Sequence, residues 1–298
     1  MNIAVLIPCY NEEATIARVI GDFRRELPEA EIYVGDNNSA DRTAELAAAA
    51  GATVIRDPRV GKGNMVQTML ERCRADIYVM VDGDDTYSAE DVRALIEPVA
   101  AGECEMCIGN RLKIYQAGSF SGFHLFGNKV IRSITYRLHK VNIPDMLSGY
   151  RVMSRSLVDE LNLISGGFEI ETEINIKSVW HGFRIRSRDI EYRKRPEGSS
   201  SKLKTISDGY RILFNIFMLL REHQPMTVGG CVFLGANLAA AALLAAGLAD
   251  RNLFVFGSAL FLSLVGLISL GIGIVLHAIN IAHREEDKHL RKLSGRGL

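Results

Sequence analysis

Two runs without a single Asp, Glu, Lys or Arg, residues 226–248 and 253–281, limit what this chain can fold into. The first is about 23 residues long and the second is longer. Each exceeds the roughly 20 apolar residues that carry an α-helix across a bilayer. Only Ala249-Asp250-Arg251-Asn252 separates them, which predicts a tight helical hairpin. Gly229, Gly230, Gly235 and the alanines at 239–242 are small enough to let the two helices approach closely. A hairpin buried in a soluble core is the competing reading. Basic residues gather before the first run (Lys202, Lys204, Arg211, Arg221) and after the second (Arg284, Lys288, Arg291, Lys292). The positive-inside tendency therefore predicts an integral protein of the plasma or inner membrane with both ends cytoplasmic.

Upstream of these runs the chain reads as a soluble α/β domain. Apolar strands at residues 3–7, 31–34, 53–55 and 77–81 alternate with helical spacing such as Ile16, Val19, Ile20 and Phe23. That alternation predicts βαβ units and a mainly parallel sheet. Polar clusters follow three of the strands: Asn11-Glu12, Asp36-Asn37 and Asp82-Gly83-Asp84. Ligands bind outside the carboxyl ends of strands in open α/β sheets, so these clusters should share one crevice. Asp82 and Asp84 offer hard oxygens suited to Mg²⁺ or Mn²⁺, with substrate phosphates completing the shell. The same stretch also reads as a solvated turn, with Ser88 and Asp91 as an N-cap pair for the next helix. Gly61-Lys62-Gly63 lacks the spacing and the Ser/Thr of a P-loop.

Composition narrows the partners. With 35 basic and 35 acidic residues, bulk charge gives no sign of nucleic acid. Five scattered cysteines, among them a lone Cys104-x-x-Cys107, fit a reduced compartment better than zinc or disulfides. Met1-Asn2 leads straight into an apolar strand with no basic n-region, which predicts no signal peptide.

Several motifs occur in a fixed order: Pro8-x-Tyr10-Asn11-Glu12, Asp36-Asn-Asn-Ser-x-Asp41, Gly61-Lys62-Gly63 and Asp82-x-Asp84. Together they resemble the family-2 glycosyltransferases of the GT-A fold. Gly109-Asn110-Arg111, Asp145-Met-Leu-Ser148-Gly149-Tyr150-Arg151, Gly167-Phe168-Glu169 and Tyr192-x-x-Arg195-Pro-x-Gly198-Ser-x-Ser201-Lys202-Leu203 narrow the likeness to the dolichyl/polyprenyl-phosphate branch. The resemblance covers about residues 1–225. It implies a hexosyltransferase that moves one sugar from a UDP- or GDP-linked donor onto a dolichyl or undecaprenyl phosphate in the membrane, with inversion, yielding a cell-envelope glycolipid. It also implies roles. Pro8, Tyr10, Glu12, Asp36, Lys62, Asp82 and Gly83 would bind the donor nucleotide. Asp82 and Asp84 would hold the metal, and Asp84, Asp145 and Arg111 would be catalytic. Arg111, Ser148, Arg195 and Lys202 would take the acceptor phosphate, and Glu169 and Glu171 the sugar.

Two departures stand out. The usual Asp-Asp-Gly-Ser is Asp36-Asn37-Asn38-Ser39 here, and Gly122-Phe123-His124 lacks an arginine, for which His124 or Lys129 would have to substitute. From Leu203 onward, Ile206, Tyr210, Leu213, Phe214, Phe217 and Leu220 recur at helical spacing with basic flanks, as in a helix lying in the membrane interface. The expected organisation is a catalytic domain (1–202), an amphipathic helix (203–224), a transmembrane hairpin (225–282) and a basic cytoplasmic tail (283–298). A homo-oligomer is expected from the small-residue hairpin. Rival readings are a processive polysaccharide synthase, whose Gln-x-x-Arg-Trp motif is missing around the single Trp180, and a non-catalytic nucleotide-sugar-binding scaffold.

Overall fold

The computed structural model describes residues 1–115, 141–196, 224–250 and 252–293, plus positions 128, 129, 132, 133, 136, 214, 217, 218 and 221. Lys202, His124 and most of the 203–224 segment lie outside the described residues. The chain divides into two units, 1–216 and 217–298.

The first unit is built on a seven-stranded sheet of order β3-β2-β1-β4-β6-β5-β7. Its strands are β1 (Ile3–Cys9), β2 (Glu31–Asp36), β3 (Thr53–Arg56), β4 (Ile77–Met80), β5 (Met106–Tyr115), β6 (Arg151–Ser154) and β7 (Ile185–Tyr192). β1 pairs in parallel with β2 and β4, β2 with β3, and β5 with β7. Only β6 runs against its neighbours. The expected mainly parallel α/β architecture is therefore present, with a single reversed strand.

Helices α1 (Ile16–Glu26), α2 (Thr43–Ala49), α3 (Lys62–Arg72) and α4 (Val92–Ala100) connect the first strands, and α5 (Arg155–Val158) and α6 (Ile170–Trp180) lie between β6 and β7. α1 buries the four residues its spacing singles out, Ile16, Val19, Ile20 and Phe23. They pack into the core with Val5, Ile7, Val79 and Val92, and full burial of each such side chain is worth about 1.5–3 kcal/mol. The capping expectation fails locally. Ser88 makes no cap hydrogen bond, and a short 3₁₀ turn (Ala89–Asp91) precedes α4. Asp91 instead accepts the Glu191 N–H at 3.0 Å, tying this turn to β7.

The second unit contains two long helices, α7 (Pro225–Asp250) and α8 (Leu253–Leu293). Stretches of 24 residues (Pro225–Leu248) and 30 residues (Leu253–Ala282) are long and apolar enough to cross a membrane. Only 11% and 17% of their most apolar windows are buried, unlike helices in a soluble core. Antiparallel pairing brings backbones together. A Cβ on Gly229 would lie 2.7 Å from the Ser269 carbonyl, and one on Gly273 2.8 Å from that of Pro225. Gly230 and Gly235, expected in this seam, have nothing within 4 Å. In the 239–242 run only Ala240 is buried. Between the helices, the Ser263 hydroxyl donates to Asn237 Oδ1 at 2.8 Å. Helix α8 also runs on to Leu293, so much of the expected tail is helical backbone.

Candidate active site

The carboxyl ends of β1, β2 and β4 bring Glu12, Asp36 and Asp82 to one edge of the sheet. β5 and β7 run the same way and add Arg111 and, just past β7, Arg195. Because β6 is reversed, its amino end reaches this edge, preceded by the Asp145–Tyr150 loop. The sheet thus gathers strand ends and one strand start in a single polar mouth.

After β4 the ladder continues one step, with Val81 N–H donating to the Leu6 carbonyl at 3.1 Å, and then breaks. The turn that follows is anchored residue by residue. Thr15 Oγ1 donates to the Gly83 carbonyl at 2.7 Å. The Thr86 N–H and hydroxyl donate to Asp84 Oδ1 at 3.2 and 2.6 Å. Asp85, in the left-handed region at φ 59°, is held by Arg18 at 2.5 Å. A Cβ at Gly83 would lie 2.5 Å from Cys9 Sγ, so the turn sits directly on β1.

Two cations face the two expected metal carboxylates. Lys62 Nζ lies 2.5 Å from Asp82 Oδ1 and 2.5 Å from Glu171 Oε1. Burial alone would pull the Lys62 ammonium down, but the two carboxylates outweigh it and its pKa ends above the ordinary value. Burial pushes Asp82 upward, and the neighbouring Lys62 more than reverses this, holding Asp82 below the usual carboxylate range. Arg195 contacts Asp84 Oδ2 and approaches Glu12 Oε1 at 3.7 Å. Asp84 is raised, first by burial and then by the charge of Asp82. A divalent cation relieves that like-charge repulsion, and both residues present hard oxygens. Among the described residues no three His, Cys, Asp or Glu side chains are placed to hold one ion together. Such a donor set fits Mg²⁺ or Mn²⁺, which bind through one or two carboxylates with phosphate or water oxygens in the remaining positions.

Arg111 and Asp145 come together rather than standing apart. Arg111 Nε and Nη2 donate to Asp145 Oδ2 and Oδ1 at 2.7 and 2.9 Å, a bidentate pair buried at both ends. Asp145 is lowered by Arg111 against the upward push of burial. Arg111 also lies over the Tyr192 ring at 5.3 Å. Arg111, expected to take the acceptor phosphate, is therefore already paired with a buried carboxylate.

Other expected site residues fall differently. Ser148 is fully buried and its hydroxyl serves its own turn, accepting the Tyr150 N–H at 3.3 Å, so it is not presented to a phosphate. Glu169, half-buried, accepts the Gly167 N–H at 3.0 Å, and Glu171, buried, faces Lys62. Tyr10 is exposed at 41% beside the mouth, whereas Pro8 is buried within β1. Asp36 is buried, accepting the Ser39 N–H at 3.1 Å. Asp41 keeps the bland role of a cap, accepting the Thr43 N–H at 3.0 Å. Lys129 is exposed.

Sequence reasoning left out the largest fully buried side chain of the site. Arg151 donates to the Ser148 carbonyl at 2.5 Å, to the Glu171 carbonyl at 3.3 Å and to Asn175 Oδ1 at 3.2 Å. Burial lowers its pKa, and its Nε has no hydrogen-bond partner. It ties the Ser148 turn to α6 across the site. Its only sequence signal was its place at the end of the Asp145–Arg151 motif.

Comparison with known proteins agrees with this arrangement. The pattern of glycosyl transferase family 2 matches residues 4–161. Glycosyltransferase AglJ of Haloferax volcanii is 34% identical over 231 residues, 77% of this chain and 76% of its own length. Protein RfbJ of Shigella flexneri is 53% identical over 110 residues, 37% of this chain and 85% of its own. Among solved structures, the glucosyl-3-phosphoglycerate synthase of Mycobacterium tuberculosis, crystallised with Mn²⁺, UDP and glucosyl-3-phosphoglycerate, superposes with a TM-score of 0.61 at 22% identity. That alignment covers 73% of this chain and 79% of the synthase, and supports the GT-A fold alone. With the family pattern spanning more than half of its length and a 34% identical glycosyltransferase aligned along three quarters of it, the chain belongs to glycosyl transferase family 2.

Proposed function

We propose that this glycosyltransferase moves one sugar from a nucleotide-sugar donor to a polyprenyl phosphate held in the cytoplasmic leaflet of a membrane. The observation that carries the reading is the polar mouth itself, where Asp82, Asp84, Lys62, Arg111 and Arg195 converge in a chain that also has two long, outward-facing apolar helices. Asp82 and Asp84 would hold Mg²⁺ or Mn²⁺, which neutralises charge developing on the departing diphosphate. The Mn²⁺ and UDP named for the mycobacterial synthase support this placement on a shared fold. Lys62 keeps the Asp82 carboxylate charged and aimed for the donor end. Exposed Tyr10 and buried Asp36 lie along β1 and β2, where the nucleoside would rest.

The acceptor phosphate is already anionic near neutral pH and needs little help from a base. Its oxygen attacks the anomeric carbon as the bond to the donor β-phosphate oxygen breaks, and a single displacement of this kind inverts the centre. Arg195 contacts Asp84 Oδ2 and approaches Glu12 Oε1, which places its positive charge at the same mouth, where it attracts phosphate oxygens. Lys202 follows it closely in sequence. Arg111 acts through Asp145 by holding the loop that closes the mouth.

The test incubates the purified full chain in lipid vesicles with undecaprenyl or dolichyl phosphate and a panel of UDP- and GDP-sugars, and looks for a glycolipid. Product should form with one donor, vanish with EDTA, return with Mn²⁺, and be absent from Asp84→Asn. Transfer to a water-soluble acceptor alone, or full turnover in EDTA, would overturn the proposal.

A further inference from the structure

Lys62 stands on the first residue of α3, in a turn whose two glycines are pressed against another segment. A Cβ on Gly61 would lie 2.1 Å from the Gly166 carbonyl oxygen, and one on Gly63 2.1 Å from that of Ser165. Gly61 also holds φ at 130°, a conformation that L side chains rarely adopt. The turn therefore has no slack of its own, and its position is set by whatever holds its neighbours.

Two buried side chains do this. From the β2 side, Asn37 uses both halves of its amide. Its Oδ1 accepts the Gly61 N–H at 2.6 Å, and its Nδ2 donates to the Arg59 carbonyl at 2.7 Å. An aspartate in this place could make the first bond but not the second. Asn38 adds a parallel tie, donating to the Pro58 carbonyl at 2.8 Å. From the α6 side, Glu173 is fully buried and accepts the Ile164 and Ser165 N–H groups at 3.0 and 2.8 Å. Lys177, 2.8 Å from Glu173, also donates to the Asn162 carbonyl. The strap so held is fastened onward to α3, with Asn64 N–H on the Gly166 carbonyl at 3.2 Å and Gln67 Nε2 on that of Ser165 at 2.8 Å.

We propose that Asn37 and Glu173 are positioning residues for Lys62, acting through the backbone of its turn from two sides. Both are spent on backbone groups rather than on the mouth. What they fix is the distance from the α3 backbone to Asp82 and Glu171, both of which the ammonium must reach at once. This inference rests on the proposed donor reading for its effect on nucleotide binding.

The test measures UDP and GDP binding in Mn²⁺ by calorimetry for the wild type, Lys62→Ala, Asn37→Asp and Glu173→Gln, and for each of the last two combined with Lys62→Ala. Lys62→Ala should weaken nucleotide binding about ten- to a hundredfold, the range for one charge-assisted contact. Asn37→Asp and Glu173→Gln should each weaken it several-fold alone and leave it unchanged once Lys62 is gone, because coupled residues are non-additive. Equal losses in both backgrounds would overturn the proposal, since a general loosening of the fold does not depend on Lys62. Hydrogen exchange without nucleotide gives a second readout. The amides of residues 61–66 should exchange faster in both variants while those of β1 keep their wild-type rates. Unchanged exchange at 61–66 overturns the inference even if the wild type binds neither nucleotide, a result that would separately sink the donor reading. Asn37→Asp is nearly isosteric, so it carries the test should Glu173→Gln fail to fold.

Discussion

Gly149→Ala perturbs the proposed metal carboxylate without removing any polar group. The backbone of Gly149 lies outside the left-handed region, so alanine costs little in conformation. Space is the difficulty: its Cβ would lie 2.5 Å from Asp82 Oδ2 and 2.8 Å from Oδ1. Side-chain carbons essentially never sit closer than 3.0 Å to such atoms, so something must yield by at least 3.0 − 2.5 = 0.5 Å. The loop is poorly placed to do so. Gly149 N–H donates to Tyr87 Oη at 2.9 Å, the Tyr150 carbonyl accepts Gly109 N–H at 2.9 Å, and Arg151 holds the Ser148 carbonyl at 2.5 Å. Asp82 should therefore move, and Lys62 with it. Overpacking of this kind costs about 1–3 kcal/mol of stability. A shift of ~0.5 Å already reaches the tolerance of a working site, and ~1 Å can cost a hundredfold. We expect kcat/KM for sugar transfer to fall about ten- to a hundredfold, with weaker Mn²⁺ affinity and a folded protein by thermal melt. Wild-type Mn²⁺ affinity together with kcat/KM within twofold of wild type would refute the reasoning.

Arg111→Ala should lose about 3–5 kcal/mol in denaturant unfolding, because it leaves the buried Asp145 carboxylate unpaired. Arg195→Ala should cost less stability than Arg111→Ala, because burial and the charge of Asp82 already raise its partner Asp84 toward the neutral form, yet it should lose transfer activity. The opposite pattern would reverse the roles given to the two arginines. Acid should reveal Asp57, whose carboxyl is held below its ordinary value of 3.8 by hydrogen bonds from Arg59 and Thr68 against the upward push of burial. A depressed carboxylate stabilises above its unfolded pKa and loses that contribution as pH falls. The gap between the thermal midpoints of wild type and Asp57→Asn should be full near pH 6 and begin to narrow only as pH falls below about 4, shrinking further with every step down; a gap that stays constant to the lowest pH would contradict this.

The first four strands, the single edge and the placement of Glu12, Asp36 and Asp82 were readable because period and strand-end position survive in one dimension. Partnership is harder to read. Arg111 and Asp145 are 34 positions apart, and nothing local announces that they form one bidentate pair. The Ser148 hydroxyl looked available until the turn around it closed. Asn37 read as a lost carboxylate, whereas its amide nitrogen supplies a bond that a carboxylate lacks. In the hairpin, composition identified the helices, but the seam depends on rotation about each axis. Gly229 therefore meets Ser269 while Gly230, one residue on, meets nothing.

The two apolar helices are unequal, and their packing makes that inequality matter. At 1.5 Å per residue the 24- and 30-residue stretches are about 36 and 45 Å long, against a hydrocarbon core of about 30 Å. Gly273 sits against Pro225, the first residue of α7, so the longer stretch overhangs its partner by 282 − 273 = 9 residues, about 14 Å. Close backbone contacts and the Asn237–Ser263 hydrogen bond oppose separate tilting, so the pair would lean as one body in a bilayer. A leaning, overlong hairpin is matched best by a thick membrane. Each ångström of mismatch costs only a fraction of a kcal/mol, which is nonetheless enough to sort proteins between membranes of different depth. In such a bilayer, acyl-chain length would set how far the pair leans.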